Sequence, residues 1–184
     1  MITLSTIKNT VFDALSSCLG LSPDSAAASA LIHPAYTEPE NAPRPPRDRD
    51  VVYFDLQTED DPGDRNQVQL SSASGLNLSR RFSVRLAYRL IVICYGPLAE
   101  TNARKIRSFL YLDGAGNPLQ ILRSSGIHPV PNPPQPLIGH EQEGSLWRNR
   151  CDVTISLRIA DELEKPNIGS VRAAPEPVIH VSSS

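Results

Sequence analysis

Between Phe82 and Cys94 an apolar residue stands at every second position: Phe82, Val84, Leu86, Tyr88, Leu90, Val92 and Cys94. A period of two is the side-chain period of a β-strand, so a run of this length sets both the element and the face it buries. The alternate positions carry Ser83, Arg85 and Arg89 first, then turn apolar at Ile91 and Ile93. The spacing predicts a long strand with one wet face over its first half and cover on both faces over its second. Such a strand needs partners on both edges.

Several segments can supply them. Residues 51–56, Val-Val-Tyr-Phe-Asp-Leu, form a β-rich run, and residues 66–78 suit a hairpin partner of the long strand. Cys151, Val153, Ile155, Leu157 and Ile159 alternate with Asp152, Thr154, Ser156 and Arg158, the pattern of a half-buried strand. A short strand is expected at Leu119 to Leu122. A last one, Val171 to Val181, is broken by Pro175 and Pro177 and belongs at a sheet edge. Two segments have helical spacing instead. Leu4, Ile7, Val11, Leu15 and Cys18 make one apolar stripe, widened by Phe12 and Leu19, with Thr3 or Ser5 as cap and Gly20 as stop. Ala99, Ala103, Ile106 and Leu110 make another, opened by Pro97 in the first helical position and stopped by Gly114 and Gly116. The order of elements predicts an α+β fold: a mostly antiparallel β-sheet with two main α-helices packed on one face.

Proline sets the organisation around that core. It makes up 17 of 184 residues, about twice average usage, with six between Pro23 and Pro46 and six between Pro118 and Pro136. The chain reads as a single domain over 1–184, with a compact core at about 1–21 and 50–165. Around it are a Pro-rich arm at 22–49, a long loop at 115–148 and a tail at 166–184. A short helical turn is expected at Ala26 to Ala30, and polyproline-like chain at Pro43 to Pro46.

Catalytic and metal-binding patterns are scarce. The histidines, His33, His128, His140 and His180, stand outside metal-ligand spacing of one another and of the cysteines. No phosphate-binding glycine loop, dinucleotide fingerprint or nucleophile elbow occurs. The acidic cluster Glu59, Asp60, Asp61 and Asp64 lacks the closing glutamate of an EF-hand loop and reads as a solvated turn. Cys18, Cys94 and Cys151 sit in apolar elements and read as buried free thiols, with a disulfide or metal site as the alternative. Glu141 and Glu143 precede the sole tryptophan, Trp147, as a charged rim; Trp147 is either core or an anchor for a partner. A formal net charge of -2 opposes general phosphate neutralisation, leaving local basic groups only. The longest strongly apolar run, Leu90 to Cys94, is too short to span a bilayer, and the first residues lack the apolar segment of a signal peptide. The expectation is a non-enzymatic protein made in a cytoplasm, without cofactor, that assembles with other chains.

Two blocks sharpen this. The first is Leu90-Ile-Val-Ile-Cys-Tyr-Gly-Pro97 followed by the helix from Ala99 to Leu110; the second is Gly144-Ser-Leu-Trp-Arg-Asn-Arg-Cys-Asp-Val-Thr-Ile-Ser-Leu157. A strand ending in Tyr-Gly-Pro, a helix, a long loop and a tryptophan before an alternating strand resembles the neck and tail terminator proteins of long-tailed bacteriophages. The resemblance covers residues 45–165 loosely and the two blocks more closely. It implies a virion protein forming a homo-oligomeric ring, commonly a hexamer, that caps the tail tube. The ring would dock the head–tail connector and pass double-stranded DNA through its lumen. On that reading Arg80, Arg81, Arg85 and Arg89 are candidate DNA-channel contacts. Pro43, Pro45, Pro46, Pro131, Pro133, Pro134 and Trp147 are candidate subunit or partner contacts. Another neck connector or stopper, a tail tube protein, or a small cytoplasmic enzyme or ligand-binding domain are the alternatives.

Overall fold

The computed structural model describes residues 2–35, 48–60, 68–74, 77–113 and 117–168. Its elements in chain order are α1 (Leu4–Cys18), α2 (Ala26–Leu31), β1 (Ile32–Pro34), β2 (Val51–Glu59), β3 (Val68–Ser74) and β4 (Asn77–Tyr95). They are followed by α3 (Ala99–Phe109), α4 (Pro118–Ser124), β5 (Ile127–Pro129), β6 (Leu137–Glu143) and β7 (Leu146–Ile168). The fold is α+β, a mostly antiparallel sheet with helices on one face.

The sheet is built on a spine of two long strands. β4 and β7 pair antiparallel from Tyr95↔Arg150 down to Leu78↔Ile168. The free edge of β4 takes β2 along Ala87 to Tyr95 and β3 along Asn77 to Ser83. The free edge of β7 takes β6 along residues 146–152 and β5 along 157–159. β1 adds to β2 as the one parallel pair among the described strands.

Strand alternation turns Leu90, Val92, Cys94, Cys151, Val153, Ile155, Leu157 and Ile159 to one face, where all are almost fully buried. The stripes of α1 (Ile7, Val11, Leu15, Cys18), α3 (Ala99, Ala103, Ile106, then Leu110) and α4 (Leu122) close over them as one core. Thr3 caps α1 by accepting from the Thr6 amide, and Gly20 takes a positive φ of 76° just past its end. Leu4, the first member of the α1 stripe, is left 47% exposed.

Several expectations change. Leu119 to Leu122 is helical: Pro118 fits the first turn, and Leu119 and Leu122, three apart, both bury. So short an apolar run cannot be told from a strand by period alone. The stretch 115–148 is accordingly not a long loop, since it holds α4, β5, β6 and the start of β7. The arm 22–49 is partly core: α2 occupies the expected helical turn, Ala28 and Ile32 are buried, and β1 pairs with β2. Pro97 precedes the N-cap Leu98 of α3, and the Asp50 carboxylate accepts from the Leu98 amide at 2.7 Å. Ile91 and Ile93 are half-buried, and among the described residues they lie beside Tyr53, Asp55 and Gln57 of β2 with no second layer over them. The stops Gly114 and Gly116, the strand at Val171 to Val181 and the tail beyond Ile168 lie outside the described residues.

Proline settles one edge. After β5, the Val130 amide donates to the Ser156 carbonyl, and the chain leaves β7 through residues 131–136 before returning as β6. Prolines 131, 133, 134 and 136 lack the amide hydrogens that a continuous ladder requires. Arg107 on α3 pins this excursion by donating to the Pro134 carbonyl at 2.6 Å.

Candidate assembly surface

Exposed apolar surface concentrates on the hairpin formed by β6 and the first turn-proximal residues of β7. Leu137, Ile138, Leu146 and Trp147 are 71%, 61%, 57% and 68% exposed. Isolated surface leucines are ordinary, but here two large apolar side chains are exposed on each face of one two-stranded projection. Trp147 is therefore not core. Register puts Trp147 opposite Gln142 and Ile138 opposite Cys151, on the face shared with the helices; Leu146 and Leu137 fall on the other face.

The base of this hairpin is held by a polar and aromatic cluster on the helix-free face. The Tyr95 hydroxyl donates to Glu141, and Arg150 donates to the same Glu141 oxygen at 2.9 Å. Arg150 also grips Asp152 through Nε and Nη2, at 2.8 to 3.1 Å. The Arg148 guanidinium lies 4.8 Å from the centre of the Tyr95 ring and donates to the Arg49 carbonyl at 3.2 Å. Tyr53 meets Tyr95 edge-on at 6.1 Å, and His33 meets Tyr53 at 5.9 Å. The cluster thus crosses β1, β2, β4, β7 and β6 in one row.

Charge follows from these contacts. The hydrogen bond from Tyr95 holds the Glu141 carboxyl below the usual carboxylate range, with Arg150 adding to the effect. Partial burial pushes the Tyr95 hydroxyl above its ordinary value, and its bond to Glu141 pushes it further, because that bond needs the proton in place. Asp152 raises Arg150 beyond its already high value. All three therefore keep fixed charge states through the neutral range. These bonds tie the hairpin to the sheet through groups whose charge does not change.

A cleft of about 190 Å³ lies between the start of α3, at Gly96, Pro97 and Glu100, and the hairpin, at Ile138, His140 and Asn149. This is below the roughly 300–1,000 Å³ of ordinary small-molecule sites. Gly96 is required here: at φ 107° an added Cβ would lie 2.6 Å from an Asp50 carboxylate oxygen and 2.7 Å from the Arg49 carbonyl.

The other sequence-derived candidates are dispersed. On β4, positions 81, 85 and 89 share one strand face and position 80 falls on the other. Arg85 is exposed, and Arg89 is ion-paired with Glu59 at 2.6 Å. Positions 80 and 81 face Lys165 and Glu164 in register; the side chains of Arg80 and Arg81 lie outside the described ones. Pro43, Pro45 and Pro46 also lie outside the described residues. Pro131 and Pro133 are exposed and Pro134 is half-buried against α3, away from the hairpin tip. Of the acidic cluster, Glu59 serves Arg89, and Asp61 and Asp64 lie outside the described residues. Among the described residues no group of three histidine, cysteine or acidic side chains could hold a metal ion. All three cysteines are buried and unbridged, with Cys94 and Cys151 directly opposite each other across the spine.

Sequence reasoning passed over the hairpin because prolines run up to it. Its signal was present: Leu137 to Glu143, then Gly144-Ser145, then the alternating strand, is two extended runs around a two-residue turn. The row from His33 to Glu141 joins residues more than a hundred positions apart and carries no local signal. No protein-family model matches the chain, and no curated protein does.

Proposed function

We propose that this chain is a structural assembly subunit. More specifically, we read it as a neck protein of a long-tailed phage, the tail terminator, whose ring caps the tail tube and docks the head–tail connector. The observation that carries the assembly reading is the stiffened hairpin presenting Leu137, Ile138, Leu146 and Trp147 to solvent. Ordering a loop on binding costs free energy, whereas a hairpin already fixed by Tyr95, Glu141, Arg150 and Asp152 brings its apolar groups to a partner in place. The narrower assignment rests on the two sequence blocks, which correspond to β4 running into α3 and to the hairpin turn running into β7.

On this reading the subunits close head to tail into a hexameric ring. In it, the helix-free face bearing Arg85 is the candidate lumen wall, with DNA passing without sequence-specific contact. Because Arg89 is already paired with Glu59, the electrostatic hold on DNA would be weak, which suits a conduit through which DNA must slide.

Light scattering on the purified protein, with negative-stain images of the same fraction, tests this. Closed rings with a central hole, or monomers that form rings only on added tail tubes, are the expected results. A monodisperse monomer that ignores both tubes and heads refutes the reading. Trp147 supplies a parallel signal, since its fluorescence should shift to the blue as assembly removes it from water.

A further inference from the structure

The edges of the sheet are not alike. β1 and β5 are three residues long and end in Pro34 and Pro129. Beyond β1, the outward amide of β2 at Leu56 is taken by the Asp55 carboxylate at 2.9 Å. Short strands, prolines and occupied amides all blunt an edge against pairing. β6 has none of these. Its seven residues contain no proline or lysine, Glu141 is drawn back to Arg150, and the strand pairs with β7 alone among the described strands. On this side of β7 the Ala160 amide donates to Gly126 and the Val130 amide to Ser156, so even-numbered residues of β7 bond toward the edge. β6 therefore bonds to β7 through Gly139 and Glu141. The amides of Ile138, His140 and Gln142 point outward, with no backbone partner among the described residues. Exposed apolar side chains flank this open ladder on both faces, Ile138 and Trp147 on one, Leu137 and Leu146 on the other.

Such an edge fits an extended segment that is itself apolar on both faces. One lies in the chain after Ile168: Val178-Ile179-His180-Val181, preceded by Pro175 and Pro177. The other stretches outside the described residues hold no apolar run of this kind. The tail cannot reach β6 of its own chain. β7 runs about 60 Å from Asn149, which faces His140, to Ile168. The chain from Ile168 to Ile179 spans at most about 40 Å. A tail turned back at Gly169-Ser170 would bring residues 178–181 opposite 158–161 of β7. That edge is taken, because β5 pairs with Arg158 and Ile159, and Ala160 is bonded to Gly126.

We propose that residues 178–181 of one copy add as a strand to the outer edge of β6 in the next. The amides of Ile138, His140 and Gln142 bond to its backbone, and its alternating side chains cover the apolar groups on both faces of the hairpin. Tail and edge are different surfaces, so each docked copy leaves one of each open. The assembly therefore continues until it closes on itself, as a ring must. This rests on the ring reading above and names the contact that would build it.

The test uses the full chain as His140→Pro and Ile179→Pro, alone and mixed, under the conditions in which the wild type forms rings. Proline at 140 removes an outward donor and no bond to β7, and position 179 lies beyond β7. Both variants should therefore keep the wild-type unfolding temperature within a few degrees. Each alone should lose self-association by about thirtyfold or more, the scale of an interfacial hot spot. Mixed one to one, they should form dimers and no rings, because the tail of the His140→Pro chain meets the edge of the Ile179→Pro chain. In wild-type rings the amides of Ile138, His140 and Gln142 should exchange more slowly than in the monomer. If either variant assembles like the wild type, the mixture gains nothing over the single variants, or these amides stay equally fast, the contact is wrong and the ring reading stands. An Ile179→Pro chain that melts early yet forms rings places the tail on its own chain and overturns the proposal. A wild-type chain that never assembles, even on tail tubes, would remove both.

Discussion

Replacing Gly96 with alanine should destabilise the protein far more than the same change at Gly20, and the difference measures a single crowded junction. Both glycines have positive φ, 107° and 76°, so both substitutions place an L side chain in a disfavoured conformation. At Gly20 nothing lies within 4 Å of the added Cβ, and the cost is the backbone term alone, about 1 kcal/mol. At Gly96 the backbone term is about 1–3 kcal/mol. The Cβ would also stand 2.6 Å from an Asp50 carboxylate oxygen, and 2.7 and 2.8 Å from the Arg49 carbonyl oxygen and the Asp50 Cα. The carboxylate can swing away only by releasing the Leu98 amide that it caps, a loss of about 1 kcal/mol. The backbone atoms must shift as well. The sum is about 3–5 kcal/mol. For a chain of this size each kcal/mol moves the midpoint by about 2–4 °C, so Gly96→Ala should lower it by about 6–20 °C and Gly20→Ala by about 2–4 °C. Thermal unfolding followed by circular dichroism reads both. Equal shifts for the two variants would show that β2, α3 and the hairpin do not converge on Gly96 as described.

Two further outcomes are expected. Tyr95→Phe removes the donor to Glu141 while keeping the ring under Arg148. It should cost about 1 kcal/mol in global stability, at the low end because Glu141 is half exposed, and it should speed amide exchange in residues 137–147 above all. Unchanged exchange there would refute the role of the cluster in stiffening the hairpin. The buried thiols make stability fall in alkali. Burial pushes Cys18 from 9.0 up to about 12 and raises Cys94 and Cys151 as well. Raised folded-state values mean that the native state holds protons which the unfolded chain releases. The stability contribution is thus intact below about pH 9 and declines above it, by up to about 1.4 kcal/mol per pH unit for each thiol. Urea unfolding between pH 8 and 11 checks this, and a Cys18→Ala variant with an undiminished slope would contradict it.

Local pattern determined much of this protein. The alternation from Phe82 to Cys94 and from Cys151 to Ile159 specified the two spine strands and their buried faces, because side-chain direction in a strand follows position alone. The stripes from Ile7 to Cys18 and from Ala99 to Leu110 specified the main helices for the same kind of reason. Tertiary structure decided the rest. Leu119 to Leu122 became a helix because its two leucines could bury side by side, a gain that exists only once the sheet is there. The row of His33, Tyr53, Tyr95, Arg150 and Glu141 came together through strand order across five strands, which no spacing along the chain encodes. Trp147 shows the division most plainly. Its place on an alternating strand was legible, but whether an inward-facing position meets core or water depends on where the helices end. The helical layer stops short of the hairpin, and so the indole faces solvent.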